Sequence, residues 1–152
     1  MEYVSGSEGS ESCFLCDHLS ADDDQKSHIL FRDESVFVLL NAFPYNTGHL
    51  MVVPNRHVAE LHDLTPEEGS ALFELTTRSV DILRAGMNAD GFNVGMNLGK
   101  VAGAGVPGHL HVHVVPRWGG DTNFMPVIGE TKVLPEMIAD TDRKLRPLFA
   151  RR

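Results

Sequence analysis

The segment HLHVHVV, residues 109–115, carries three histidines at two-residue spacing with apolar residues between them. Successive side chains of a β-strand point to opposite faces, so the spacing predicts a strand with His109, His111 and His113 on one face. The opposite face would be apolar and formed by Leu110, Val112 and Val114. Three imidazoles in register each need hydrogen-bond partners. The pattern therefore favours a functional site over ordinary core packing.

Two kinds of chemistry fit such a histidine face. Imidazole is the commonest metal ligand in proteins, and alternate histidines on a strand can share a metal. A neutral imidazole is also a nucleophile near neutral pH. The flanking residues favour the nucleophile: Asn93, Asn97 and Gly99 would line the same side if their segment is the neighbouring strand. Arg117, just past the histidine segment, could neutralise a polyphosphate.

Three other segments have strand patterns. SVFVLLNAFP (35–44) is an apolar run that ends in a turn, and HLMVVP (49–54) follows it, which predicts an antiparallel hairpin. FNVGMNLG (92–99) alternates strictly and predicts a half-buried strand. Its apolar face would consist of Phe92, Val94, Met96 and Leu98. The glycine-rich run that follows lacks the spacing of a known phosphate-binding loop.

Two segments have helix patterns. LTPEEGSALFELTTRSVDILRAG begins with Thr65 as a cap, Pro66 at the first helical position and Glu68 to complete a capping box. Its predicted core stripe is Leu72, Leu75, Ser79 and Leu83, widened by Phe73 and Ile82. VLPEMIADTDRKLRPLFARR predicts a C-terminal helix, with Pro135 near its start and Pro147 weakening or ending it. A mainly antiparallel sheet with one long helix and a terminal helix is an α+β fold.

Composition excludes several classes of protein. The chain has 152 residues, of which 42% are hydrophobic and 22% charged, which suits one soluble domain. No apolar run reaches the roughly 20 residues of a membrane span. The net charge of −8 argues against a nucleic-acid partner. The acidic residues 1–12 are expected to be a flexible tail before a single domain over 13–152, and the absence of a signal-peptide pattern predicts a cytoplasmic protein.

The chain has two cysteines, Cys13 and Cys16. Two thiols three positions apart cannot form the disulfide framework of a secreted protein. They could form a redox pair or half of a zinc site.

Longer stretches resemble a known family. HLHVHVV is similar to the signature of the histidine triad (HIT) nucleotide hydrolases and transferases. LLNAFPYNTGHLMVVPNRHVAELHDLTPEE resembles the upstream half of that family, and GMNLGKVAGAGVPGHLHVHVVPRWGGDTNFMP resembles its branch with bacterial diadenosine tetraphosphate phosphorylases. The resemblance covers roughly residues 13–130. It implies a five-stranded antiparallel sheet in each subunit and usually a homodimer.

The resemblance also implies roles for individual residues. His111 would be the nucleophile that forms a nucleotidyl-histidine intermediate, while His113 and His49 would contact the same phosphate. Asn41 would lie in the nucleoside pocket, with Phe37 and Leu39 as its walls. The remaining substrate-binding positions are on the phosphate and leaving-group side: Asn97, Gly103, Gly105, Arg117 and Trp118.

The resemblance further implies a structural zinc site. In relatives two histidines join the cysteine pair as zinc ligands, and His57 and His109 match those histidines. Magnesium is a second expected cofactor. The expected reaction is cleavage of a dinucleoside polyphosphate at the α-phosphate, with inorganic phosphate or water as acceptor. Two alternatives stay open, namely a nucleoside phosphoramidate hydrolase and a nucleotide- or metal-binding adaptor without turnover.

Overall fold

The computed structural model describes residues 13–121 and 136–150. The predicted tail over 1–12 and Pro135 lie outside this range, as does the end of the PRWGGDTNFMP segment. The helices are α1 (Phe14–Ser20), α2 (Pro66–Met87) and α3 (Ile138–Phe149). The strands are β1 (Ile29–Arg32), β2 (Val36–Leu40), β3 (Leu50–Pro54), β4 (Gly91–Gly95) and β5 (Val112–Arg117). Short 3₁₀ turns occupy Leu61–Asp63 and Lys100–Ala102. No helix within the described residues is long and apolar enough to cross a membrane.

The described strands form one antiparallel sheet in the order β1-β2-β3-β5-β4. This confirms the expected α+β fold with five strands and the hairpin between β2 and β3. Hydrogen-bonded pairing of β5 with β3 begins at Val112 rather than at His109, because the backbone amide of Leu110 instead donates to the Val58 carbonyl oxygen at 2.7 Å. The predicted alternation of faces is nevertheless confirmed, since Leu110 packs in the same core as Val112 and Val114.

The sheet has a core on each face. The larger core packs β2, β3 and β5 against α2 and α3, through residues such as Val38, Val52 and Leu83. The smaller core lies on the opposite face, where Leu15 of α1 covers a group of buried side chains: Ile29, Phe37, Leu39, Met51 and Val53. β2 and β3 are therefore buried on both faces, which makes them a rigid support for residues at their ends.

Helix α2 begins as its sequence predicts. The Thr65 hydroxyl accepts a hydrogen bond from the Glu68 amide at 3.2 Å, and the Glu68 carboxylate accepts one from the Thr65 amide at 2.9 Å. The stripe of Leu72, Leu75, Ser79 and Leu83 is buried. Ser79, the one polar member, donates its hydroxyl to the Leu75 carbonyl oxygen at 2.7 Å, so its burial leaves no unsatisfied group.

Three sequence expectations need correction or refinement. Phe73 does not widen the core stripe of α2, because its side chain is 74% exposed, whereas Ile82 does pack against the core. The 92–99 strand ends at Gly95, and its apolar residues Val94, Met96 and Leu98 are exposed. α2 packs mainly across β2, β3 and β5, and of the predicted apolar face of β4 it is Phe92 that packs against the larger core, beneath Arg84 of α2. α3 runs through Pro147 and ends two residues later.

Glu68 links α2 to the segment after β3, because its carboxylate accepts two hydrogen bonds of 2.6 Å from Arg56. Those bonds and the bond from Thr65 lower the pKa of Glu68 from 4.5 to about 2. A depressed carboxyl pKa contributes stability that is complete above the unfolded value and is lost as the pH falls through the folded value.

We expect Glu68→Gln to reduce the free energy of unfolding at pH 7, and we expect its difference from wild type to shrink as the pH falls from 4.5 to about 2. Urea unfolding across this range measures both effects. Glu67→Gln, an exposed carboxylate in the same helical turn, controls for the loss of charge near the helix N-terminus. An equal difference for Glu68→Gln at every pH would contradict this role of Glu68.

Candidate active site and zinc site

His111 has one defined neutral tautomer. Its Nδ1 lies 2.8 Å from the carbonyl oxygen of His109. A carbonyl can only accept a hydrogen bond, so Nδ1 carries the proton and Nε2 carries the lone pair. The side chain is only 5% exposed, which limits its motion. This tautomer leaves the lone pair of His111 on Nε2, the nitrogen that could attack an electrophile.

His113 and His49 form a hydrogen-bonded pair beside His111. The backbone amide of Tyr45 donates to His49 Nδ1 at 3.0 Å, so the proton of neutral His49 is on Nε2. That nitrogen lies 2.9 Å from His113 Nδ1 and donates to it. His113 then carries its own proton on Nε2. The ring centroids of His111 and His113 are 4.8 Å apart.

The surroundings keep His113 neutral. Burial and, to a smaller extent, the neighbouring His111 lower the pKa of its imidazole from 6.5 to about 4. At neutral pH, His113 is thus a neutral hydrogen-bond donor. The site holds a lone pair on His111 next to an N–H on His113, which suits attack on phosphorus with stabilisation of an oxygen.

Asn41 lies next to His49 at the end of β2. Its backbone amide donates to the His49 carbonyl oxygen at 2.9 Å, and its side-chain Nδ2 is 3.5 Å from His49 Nδ1. The suggested pocket walls are less accessible than expected. Phe37 is 0% exposed and Leu39 1%, because α1 covers both.

The glycine-rich loop brings two of the predicted phosphate-binding residues together. Asn97 Nδ2 donates to the Gly103 carbonyl oxygen at 3.3 Å. Gly103 adopts φ +83°, a left-handed conformation that favours glycine. Gly105 is exposed in the same loop. The described contacts of these three residues lie within the loop rather than with the histidines.

Arg117 and Trp118 have partners other than the histidines. Arg117 donates to both carboxylate oxygens of Asp121, at 2.6 and 2.7 Å, and to Asn93 at 2.7 Å. The indole N–H of Trp118 is directed to the end of α2, where it lies 3.0 Å from the Asn88 carbonyl oxygen. Arg117, predicted to neutralise a polyphosphate, therefore already forms an ion pair with Asp121, a partner that its position in the sequence does not signal.

The four predicted zinc ligands come together. The potential ligand atoms of Cys13, Cys16, His57 and His109 all lie within 4.8 Å of one another. His109 Nδ1 is 3.3 and 3.5 Å from the two sulfurs, and His57 Nδ1 is 3.4 Å from Cys16 Sγ. Tetrahedral Zn²⁺ with its usual bond lengths places nitrogen and sulfur ligands about 3.5 Å apart. The donor set and spacing fit zinc.

A backbone carbonyl orients His109 toward these thiols. His109 Nε2 donates to the Pro54 carbonyl oxygen at 2.9 Å, which leaves the lone pair on Nδ1, the atom that faces the sulfurs. Within residues 13–121 and 136–150, this is the one group of three or more His, Cys, Asp or Glu side chains with metal-binding spacing. Nothing in that part of the chain supports the expected magnesium.

Comparison with known proteins identifies the family. The model of the HIT domain matches residues 22–120. The chain belongs to the HIT family.

Relatives and solved structures agree with this assignment. A protein named AP-4-A phosphorylase from Mycobacterium tuberculosis is 48% identical over 128 residues, which are 84% of this chain and 66% of the relative. The chain thus spans just under two thirds of that relative's length. A bis(5'-adenosyl)-triphosphatase from Dictyostelium discoideum is 37% identical over an alignment that covers 82% of this chain and 87% of the relative. A Zn-bound HIT protein from Mycobacterium smegmatis superposes with a TM-score of 0.75 at 31% identity, covering 93% and 96% of the two chains.

We expect the Cys13→Ser protein to lose bound zinc. Its melting temperature should fall clearly, because a structural zinc stabilises the folded state directly. The rate of the chemical step should change less. Elemental analysis and thermal unfolding measure the two effects. His57→Gln should behave likewise, whereas His62→Gln, an exposed histidine outside the cluster, serves as the matched control. Wild-type protein without zinc, together with full stability of Cys13→Ser, would contradict the site.

Proposed function

We propose that this HIT protein cleaves dinucleoside polyphosphates at the α-phosphate, with His111 as the nucleophile and inorganic phosphate as the preferred acceptor. The fixed tautomer of His111 is the observation that carries the proposal, since its Nδ1–H bond to the His109 carbonyl leaves Nε2 available. The names of the relatives support the substrate class: one is an AP-4-A phosphorylase and another a bis(5'-adenosyl)-triphosphatase.

The first step forms a bond between His111 Nε2 and the α-phosphorus and breaks the bond from that phosphorus to the polyphosphate oxygen. The imidazole becomes positively charged, and its Nδ1–H bond to the His109 carbonyl stabilises that charge. The Nε2–H of His113 stabilises the negative charge on the departing oxygen. His49 contributes by keeping that hydrogen on the correct nitrogen of His113.

The second step resolves the nucleotidyl-histidine. An oxygen of inorganic phosphate attacks the α-phosphorus, the P–N bond breaks, and the lone pair returns to His111 Nε2. The products from diadenosine tetraphosphate are ADP and ATP. Water in place of phosphate would give AMP and ATP. Division of one difficult displacement into two steps through a covalent intermediate is the benefit of nucleophilic catalysis.

Substrate-binding roles follow from position. We propose that Asn41 binds the nucleoside, since it lies directly beside His49. Asn97, Gly103 and Gly105 are proposed to bind the phosphates, because their loop precedes the histidine segment and is rich in exposed backbone. Arg117 and Trp118 are proposed to border the leaving group, with Arg117 acting together with Asp121 rather than as an isolated charge.

We also propose a homodimer that pairs through β4. This strand is at the edge of the sheet, and the apolar side chains Val94, Met96 and Leu98 are 49%, 37% and 41% exposed. An exposed apolar edge is a surface that proteins normally cover. A monomer mass in sedimentation velocity would contradict the homodimer.

The cytoplasm is the proposed compartment, since a reducing environment keeps zinc-binding thiols available.

The test is incubation of diadenosine tetraphosphate with the purified protein, with and without inorganic phosphate, and separation of the products by chromatography. His111→Ala is the blank. We expect ADP and ATP, formed only when phosphate is present. Formation of AMP and ATP without phosphate would establish a hydrolase and contradict phosphate as the preferred acceptor. Absence of turnover in both incubations would contradict cleavage of these substrates and would direct the next assay to nucleoside phosphoramidates.

A further inference from the structure

The loop over residues 41–48 delivers His49 to the site, and one side chain attaches this loop to the end of β5. The Asn46 side-chain amide donates to the Pro116 carbonyl oxygen at 3.1 Å and to Asp121 Oδ2 at 2.9 Å. Both contacts join segments about 70 residues apart in the sequence. The loop is therefore fixed by a tertiary contact and not only by its own turns.

Asp121 is the acceptor on which this attachment depends. Besides Asn46, its carboxylate accepts the two hydrogen bonds from Arg117 and one from the Trp118 amide at 3.2 Å. Its side chain is only 12% exposed. A buried carboxylate with several charge-assisted hydrogen bonds is held in one position, so it fixes the groups that donate to it.

Asn46 transmits this position to the histidines. Its backbone carbonyl oxygen accepts from the His49 amide at 3.1 Å, and the preceding residue, Tyr45, supplies the amide that donates to His49 Nδ1 at 3.0 Å. Tyr45 also packs its ring on His49, with centroids 4.6 Å apart. Movement of Asn46 would thus disturb the bond that sets the tautomer of His49, and through it that of His113.

We propose that Asp121, acting through Asn46, is a positioning residue that holds the Nε2–H of His113 toward the departing oxygen. This inference rests on the proposed function. The role is indirect, because Asp121 acts through the Tyr45–His49–His113 series of hydrogen bonds and not on the substrate itself. His111 is outside this series, since its Nδ1 bonds to the His109 carbonyl. Loss of Asp121 should therefore impair stabilisation of the leaving group while the nucleophile stays in place.

The test uses a series of aryl esters of AMP whose phenol leaving groups range from strongly to weakly acidic. A weakly acidic phenol leaves with more charge on its oxygen and depends more on the His113 donor. We expect Asp121→Asn to lower kcat/KM, which reports the step in which the phenol departs, by roughly tenfold or more for the least acidic phenol and by less than about threefold for the most acidic one. Asn46→Ala, which leaves the Arg117–Asp121 pair intact, should show the same steeper dependence on leaving-group acidity.

Asp142→Asn is the matched control. Asp142 is similarly buried and pairs with Arg146 four positions away through hydrogen bonds of 2.9 and 2.7 Å, but it lies on α3 at the helical face of the sheet. Thermal unfolding compares the stability of the three variants. A uniform loss across the series in Asp121→Asn, or the same steepening in Asp142→Asn, would overturn the positioning role while leaving the proposed function intact. Lack of turnover of both the esters and diadenosine tetraphosphate by wild type would overturn both.

Discussion

A neutral imidazole has one donor and one acceptor nitrogen, and backbone hydrogen bonds around this site determine which nitrogen carries the proton. His109 donates to the Pro54 carbonyl, and His111 donates to the carbonyl of His109 itself. His109 thereby contributes to two groups of residues: its side chain presents a lone pair to Cys13 and Cys16, and its backbone carbonyl fixes the tautomer of His111, the proposed nucleophile. The candidate zinc site and the proposed reaction centre therefore depend on the same short stretch of chain.

The sheet makes this arrangement rigid. β3 and β5 pair at Met51 and His113, and β3 is buried on both faces. The apolar side of the histidine segment packs into the larger core, which prevents the segment from rotating. His49 joins the site from the start of β3, where Gly48 has a φ of +79° and a Cβ would lie 2.6 Å from the sulfur of Met87. Glycine at this position allows the loop to approach α2 closely enough for His49 to reach His113.

Local patterns explain how much of this could be predicted from the sequence. The capping residues Thr65 and Glu68 interact within one helical turn, so the start of α2 was predictable. Strand alternation depends only on neighbouring residues, so the apolar face of Val112 and Val114 opposite the histidines was predictable as well. Periodicity does not reveal which strand is at an edge. That is why the apolar face of β4 was expected to be half-buried along its whole length, although Phe92 packs against the core and Val94 is exposed.

Long-range side-chain contacts cannot be predicted from this sequence for a different reason. The bond between Asn46 and Asp121 joins distant turns, and nothing in either turn alone signals it. α1 and β1 were also missed, because they are short and their burial comes from tertiary packing over Phe37 and Leu39. His57 entered the zinc site only through the family resemblance, since it lies 52 residues from His109 in the sequence.

The most direct test of this account is detection of the covalent intermediate. Rapid alkaline quenching of wild-type protein with a dinucleoside polyphosphate, followed by proteolysis and mass spectrometry, would locate any nucleotidyl group. We expect an adduct on His111 that forms within one turnover and disappears when phosphate is added. An adduct on His113 or His49, or turnover without any adduct, would contradict the assignment of His111 as the nucleophile.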